Sequence, residues 1–167
     1  MKSPFKKIDK KFRVFWKNYV FQSLFATFAV FILLLSLNTR DDAAIIASLG
    51  ASAFIIFAMP KYITARPKNI IGGHLIGLSC GILCAAIIPH PDFVHQIIAY
   101  SFFCALAVGL SIFLMVITDT EHPPAAGTAL GVVIKGFSLN VTIAVIVSAV
   151  ILSLIRHILK NKMKDLV

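Results

Sequence analysis

Charge is what this sequence has least of. Asp, Glu, Lys and Arg make up 14% of its 167 residues, against about 25% in an ordinary soluble domain. With 59% hydrophobic residues and a mean hydropathy of +0.91, that scarcity excludes a water-soluble fold. Acidic residues are rarer still, seven against sixteen basic ones. The resulting net charge of +9 raises nucleic acid as a partner, but the positions of the charges exclude it. Cutting at every charged residue leaves six uncharged windows, 18–39, 43–60, 69–91, 93–118, 122–134 and 136–155, which hold 122 of the 167 residues. Cysteine is scarce too. Cys80, Cys84 and Cys104 lie inside apolar windows and are odd in number, so they form no secreted disulfide framework and read as small buried side chains rather than metal ligands. The spacing of His90, Asp92 and His95 fits no metal pattern and reads as a solvated loop. No nucleotide-binding glycine loop, serine-triad elbow or zinc-protease motif is present, and no nucleophile is paired with a base by spacing. Neither an enzyme nor a cofactor is expected. The first 18 residues lack the apolar core and cleavage site of a removable signal.

What is present is a pattern of basic residues. Seven fall in the first 18 positions, three (Lys61, Arg66, Lys68) in 61–68, and four (Arg156, Lys160, Lys162, Lys164) after position 155. The positive-inside rule puts these three segments in the cytoplasm, with Arg40 and Lys135 outside the set. Segments 19–37 and 43–59 then go out and return, 70–88 exits, 97–117 re-enters and 137–155 finishes inside. The window 122–134 must therefore cross as well, although a helix of that length reaches only about 20 Å of a roughly 30 Å hydrocarbon core. It reads as a half-helix. The expected fold is an all-α polytopic membrane helix bundle of six crossings. It comprises a basic amphipathic segment 1–18, in which Phe5, Ile8, Phe12 and Phe15 recur at helical spacing, a transmembrane domain 19–155 and a basic cytoplasmic tail 156–167. The alternative is four spans with 118–136 as a cytoplasmic loop.

A shift of 81 residues pairs Tyr19 with Tyr100, Phe21 with Phe102, Ala26 with Ala107, Leu33 with Leu114, Leu49 with Leu130 and Gly50 with Gly131. Three crossings per unit, the first unit starting inside and the second outside, make the units inverted repeats, as in many secondary transporters. Segments 43–59 and 123–134 are then matching short middle elements, opened by Asp41-Asp42 and by His122-Pro123-Pro124. Proline in the first helical turn forfeits no hydrogen bond, so Pro123 and Pro124 mark a helix start. Gly73, Gly77 and Gly81 recur every four residues on the third span, and Gly127 and Gly131 on the short element. Such faces let helices approach closely in lipid.

The run Gly50-Ala51-Ser52-Ala53, the stretch from Arg66 through Pro67 and Gly72-Gly73 to His74, and above all His122-Pro123-Pro124-Ala125-Ala126-Gly127-Thr128-Ala129-Leu130 resemble the signature segments of the HPP family of integral membrane proteins. The family is commonly described as having four spans, and some relatives in cyanobacteria and plastids are implicated in nitrite transport. The resemblance implies a small-anion transporter or channel, with nitrite the first candidate. The expected location is a bacterial inner membrane with both termini cytoplasmic, and the expected state a homo-oligomer.

A helix N-terminus carries free N–H groups and about half a positive charge. Two inverted half-helices with facing N-termini would therefore hold an anion between them. On that reading the substrate-binding groups are backbone N–H near Gly50 and Gly127, the hydroxyls of Ser48, Ser52 and Thr128, and the rings of His74 and His122. Asp41 and Asp42 would repel an anion there and leave a cation or proton-coupled reading open. His74, in an uncharged window, is either a neutral imidazole bonded to a neighbouring helix or a functional group. His122 caps the half-helix, lines the vestibule, or relays protons with Asp119 and Glu121. Lys135 either snorkels to the headgroups or draws anions to the outer mouth. The alternative function is an oligomeric membrane scaffold or regulatory subunit without transport activity.

Overall fold

The structure is a computed structural model that describes residues 5–37, 43–88 and 96–167, with the side chains of 5–11, 36–37 and 96 left out. Asp41, Asp42, His90, Asp92 and His95, and the side chains of Phe5 and Ile8, thus lie outside the described residues. Among the described residues six helices follow one another: α1 (Phe5–Leu37), α2 (Ala43–Ala58), α3 (Pro67–Ile87), α4 (Gln96–Ile117), α5 (Pro123–Lys135) and α6 (Leu139–Leu159). A single 3-10 turn, Ile63–Ala65, lies between α2 and α3.

Local sequence accounts for the boundaries. Proline opens both α3 and α5, where its missing N–H costs nothing. α4 closes through Asp119, the one described non-glycine residue with positive φ, at 54°. The Thr120 N–H reaches the Met115 carbonyl at 2.9 Å and the Asp119 N–H reaches Val116 at 3.3 Å, the paired closure that a left-handed residue after a helix allows. Lys68, 2.8 Å away, bonds the exposed Asp119 carboxylate and holds it below the usual carboxylate range. α5 stops at Gly136, whose φ of 80° only glycine adopts without strain. Ser138 then caps α6, accepting from the Val141 N–H. α1 kinks at Phe15 (φ −119°, ψ 18°), where the basic lead-in meets the apolar span.

Among the described residues, four helices are long and apolar enough to cross a membrane: Phe12–Leu35 of α1, all of α3, Ile97–Ile117 of α4, and α6. α2 and α5 are shorter, at 16 and 13 residues. Residues 118–136 are nonetheless no surface loop. Ala125, Thr128 and Ala129 of α5 are fully buried, and α5 packs against α2, α3 and α4. α1 and α4 are the outer helices: 17% of the apolar window is buried in each, against 44% in α3 and 39% in α6. Leu24, Phe28 and Phe31 on α1 and Phe102, Phe113 and Ile117 on α4 are exposed, where lipid tails solvate them as well as protein would.

The glycine stripe lets α3 and α5 pack backbone against backbone. A Cβ at Gly77 would land on the Ala125 carbonyl oxygen, at Gly81 2.7 Å from the Ala129 carbonyl oxygen, and at Gly73 2.7 Å from the His122 Cβ. Gly131 makes the same accommodation for Ile45, 2.6 Å from such a Cβ.

Pairing between α2 and α5 differs from the expectation of facing helix ends. Gly131 lies against Ala44 and Ile45, Gly127 against Ser48, and His122 bonds Ser52. The helices run antiparallel, flank to flank, so the head of α5 sits nine residues into α2. At 1.5 Å per residue the two N-termini pass each other by about 13 Å and lie toward opposite ends of the bundle. The cause is the five-residue link 118–122. It holds the head of α5 where α4 stops, while the glycines let the flanks close.

The basic segments gather at one end. Arg156 donates through Nε and Nη2 to the Pro60 carbonyl at 3.1 and 2.9 Å, and the Lys61 N–H donates to Asp165 Oδ1 at 3.0 Å. The Lys164 ammonium lies 4.1 Å from the centroid of the Phe15 ring. The tail beyond α6 folds back rather than trailing from the bundle. Its Leu166 N–H reaches the Ala58 carbonyl at 2.8 Å. Gln22, buried in α1, donates to the carbonyls of Phe57 and Lys164 and accepts from the Lys164 N–H at 3.0 Å.

Candidate functional site

Where α2, α3 and the head of α5 meet, five polar side chains form one connected group. Ser48 and Ser52 come from successive turns of α2, His74 from α3, Thr128 from α5, and His122 from the residue that caps α5. None is more than 4% exposed, so every polar atom must find its partner within the protein. His122 Nδ1 bonds the Thr64 carbonyl at 2.8 Å and its Nε2 lies 3.0 Å from Ser52 Oγ. Ser52 Oγ is also 3.0 Å from His74 Nε2, and His74 Nδ1 is 2.9 Å from Thr128 Oγ1. Thr128 Oγ1 is 2.8 Å from Ser48 Oγ, which donates to the Pro124 carbonyl at 2.6 Å. The two imidazoles are 5.1 Å apart, centroid to centroid, and inclined at 59°.

Each position follows from local sequence. Ser48 and Ser52, four apart, share a face of α2. Gly73 leaves the room on α3 that the His122 side chain fills. The extended backbone of His122 (φ −140°, ψ 92°) is what the residue before a proline adopts, and it turns the ring back toward α2.

The expected substrate-binding residues are thus only partly brought together. Ser48, Ser52, His74, His122 and Thr128 join through their side chains. Gly127 lies beside the group, its virtual Cβ 3.4 Å from Ser48 Cβ, while Gly50 has nothing within 4 Å of a Cβ and stands apart. His122 caps α5 with its backbone; its ring makes no capping bond. Asp119 pairs with Lys68 at the surface rather than with His122. The head of α5 is also a poor anion cradle. Pro123 and Pro124 carry no N–H, and the Ala125 N–H is committed to the His122 carbonyl at 2.8 Å. Lys135 is exposed in the last turn of α5, away from the group.

Three hydrogen-bonding groups were not singled out from sequence, and the third, Gln22, lies apart from the site, against the tail beyond α6. Thr64 contributes only a carbonyl, which no side-chain pattern reveals. Asn69, buried at the head of α3, donates to the Glu121 carbonyl at 3.2 Å and ties the α4–α5 link to α3. Gln22 escaped because windows cut at formal charges pass over an uncharged amide.

Comparison with known proteins places the chain in context. The family profile for the HPP transmembrane region matches residues 12–165, nearly the whole chain. Two transmembrane proteins of Dictyostelium discoideum are similar to it. One is 40% identical over 86 residues, 52% of this chain and 28% of the relative. The other is 34% identical over 91 residues, 54% of this chain and 28% of the relative. The matched region is thus little more than a quarter of each curated relative. No solved structure matches significantly.

Proposed function

The chain belongs to the HPP transmembrane family, and on that premise we propose that it is a transporter or channel for a small inorganic anion, with nitrite the first candidate. The observation that carries this reading is the buried imidazole and hydroxyl group at the junction of α2, α3 and α5. Polar and ionisable side chains are costly in a lipid-immersed bundle, and where they occur they mark substrate or ion pathways. The hydroxyls of Ser48, Ser52 and Thr128 and the ring N–H groups of His74 and His122 are the donors that a planar anion with two acceptor oxygens would take from their internal partners.

An inverted-repeat architecture gains support from the helix contacts. Exchanging α1–α3 with α4–α6 leaves the principal neighbours unchanged: α1 on α2 answers α4 on α5, α3 on α5 answers α6 on α2, and α3 on α4 answers α6 on α1. The gathering of the three basic segments at one end supports both termini in the cytoplasm; the membrane we propose is a bacterial inner membrane, and the working unit a homo-oligomer.

Reconstituted vesicles test the reading. Gradient-driven uptake is expected for nitrite, above that of protein-free vesicles, when nitrite, nitrate, formate and chloride are compared. Absence of uptake for all four would favour the second reading, an oligomeric scaffold or regulatory subunit. One observation favours that alternative: the polar group is bonded within itself, and the glycine contacts pack α3 and α5 without slack.

A further inference from the structure

The polar chain ends in a carbonyl oxygen on both sides. From one end to the other it makes six links: Thr64 O to His122, His122 to Ser52, Ser52 to His74, His74 to Thr128, Thr128 to Ser48, and Ser48 to Pro124 O. Each link needs one hydrogen. A neutral imidazole carries one N–H and a hydroxyl one O–H, so the five residues bring five hydrogens, and the terminal carbonyls bring none. Ser52 Oγ also lies 3.0 Å from the Ser48 carbonyl, but that oxygen already accepts the helical N–H of Ser52 within α2 and adds no link to the chain. With both rings neutral, one link always lacks its hydrogen, and two lone pairs face each other in a buried site where unpaired polar groups are expensive. Residues on the Thr64 side of that gap donate toward Thr64, and those on the other side donate toward Pro124. The place of the gap therefore sets both imidazole tautomers.

We propose that this chain is a binding site for a single proton, which completes the sixth link by converting one of the two imidazoles to imidazolium. The proton comes from solvent hydronium, forms one N–H bond, releases water and adds one positive charge. The bond that breaks is one O–H of the hydronium. Entry is from the Thr64 end, where the 3-10 turn is partly exposed, rather than from the fully enclosed Thr128 end. A second proton is excluded, because two cationic rings would stand 5.1 Å apart.

Ionisable groups on the surrounding elements are few. The α4–α5 link carries Asp119, paired with Lys68 of α3, and Glu121, whose Oε2 is buried without a hydrogen-bond partner. The α2–α3 link carries Lys61 and Arg66, α5 ends in Lys135, and α6 carries Arg156 and His157. α2 carries none. The shortage of hydrogens is the same whether or not the chain moves anions, so an absence of anion flux leaves the proton site standing.

The test is nuclear magnetic resonance of protein with nitrogen-15 histidine in lipid nanodiscs, with His90, His95 and His157 replaced by Gln so that only His74 and His122 report. As pH falls from about 8 to about 3, a span that reaches well below the ordinary imidazole range, one ring is expected to acquire two N–H groups while the other stays neutral. Thr128→Val and Ser48→Ala each remove one hydrogen and two links, which leaves the remaining links matched by the remaining hydrogens. Both rings should then stay neutral across the range, and either variant suffices if the other does not fold. Two neutral rings throughout in the parent protein, or variants that titrate as the parent does, would overturn the proposal.

Discussion

Replacing Gly77 with Leu is expected to abolish recovery of folded protein, whichever function the chain has. The first atom added at this position would sit on the Ala125 carbonyl oxygen and within 3.5 Å of the Ala129 backbone nitrogen. The obstacle is helix backbone, which cannot rotate aside as a side chain can. Overpacking a core by a few methylenes costs about 1–3 kcal/mol where side chains can shift, and a backbone clash across the most extensive interface of the bundle exceeds that range. α5 would be forced off α3, taking His122 and Thr128 with it. The matched control is Gly50→Ala, since nothing lies within 4 Å of that position. It should keep the parent's elution profile and melting temperature. Size-exclusion chromatography and thermal melting of the two variants, purified side by side, read the difference. Equal recovery of both would mean that the α3–α5 contact is not what holds the bundle.

The second large effect is one of sidedness. Lys61 lies at the end where the basic segments gather. α5 leaves that end at His122 and reaches Phe137 after about 20 Å of helix. In a background lacking Cys80, Cys84 and Cys104, a membrane-impermeant thiol reagent should label Phe137→Cys in intact cells. Lys61→Cys should react only after the membrane is opened. Phe137 is the suitable reporter because it is exposed and adjoins the glycine that ends α5 without taking its strained conformation. Labelling of both residues only after opening would put 137 in the cytoplasm and remove the crossing assigned to α5, with the inverted arrangement built on it.

These effects trace back to features that differ in how plainly a linear sequence carries them. Gly73, Gly77 and Gly81 are legible because a period of four marks one face of one helix, and small residues on that face mean close approach. Pro123 and Pro124 are legible as a helix start because in the first turn a proline forfeits no hydrogen bond, whereas Pro67, which opens α3, stands in the sequence only as part of a motif. The sequence does not say which neighbour the glycine face meets, nor how far two helices slide past each other, since those depend on all the packed surfaces together. That is why α2 and α5 could be recognised as short helices while their ends were misplaced: the five-residue link after α4 sets the offset, and its length constrains the head of α5 only once the end of α4 is located in space.

The site shows the same division. Ser48, Ser52, His74, His122 and Thr128 stand out as polar residues in apolar windows, and all five meet. Their partners do not stand out. Hydroxyls read as donors to a substrate turn out to be committed to imidazole nitrogens and carbonyl oxygens. One end of the chain of bonds is the backbone of Thr64, which no residue type announces. Gly50 was included because glycine permits close approach, yet nothing approaches it.

The account stands or falls on the link between the buried polar chain and anion movement. Nitrite uptake into vesicles holding equal amounts of correctly folded parent protein or Thr128→Val tests that link most directly. The substitution keeps the shape of the side chain while removing bonds to His74 and Ser48, a loss of about 1–3 kcal/mol that should leave the bundle assembled. The account predicts that uptake falls to the level of protein-free vesicles. Uptake by the variant at the parent's rate would contradict it.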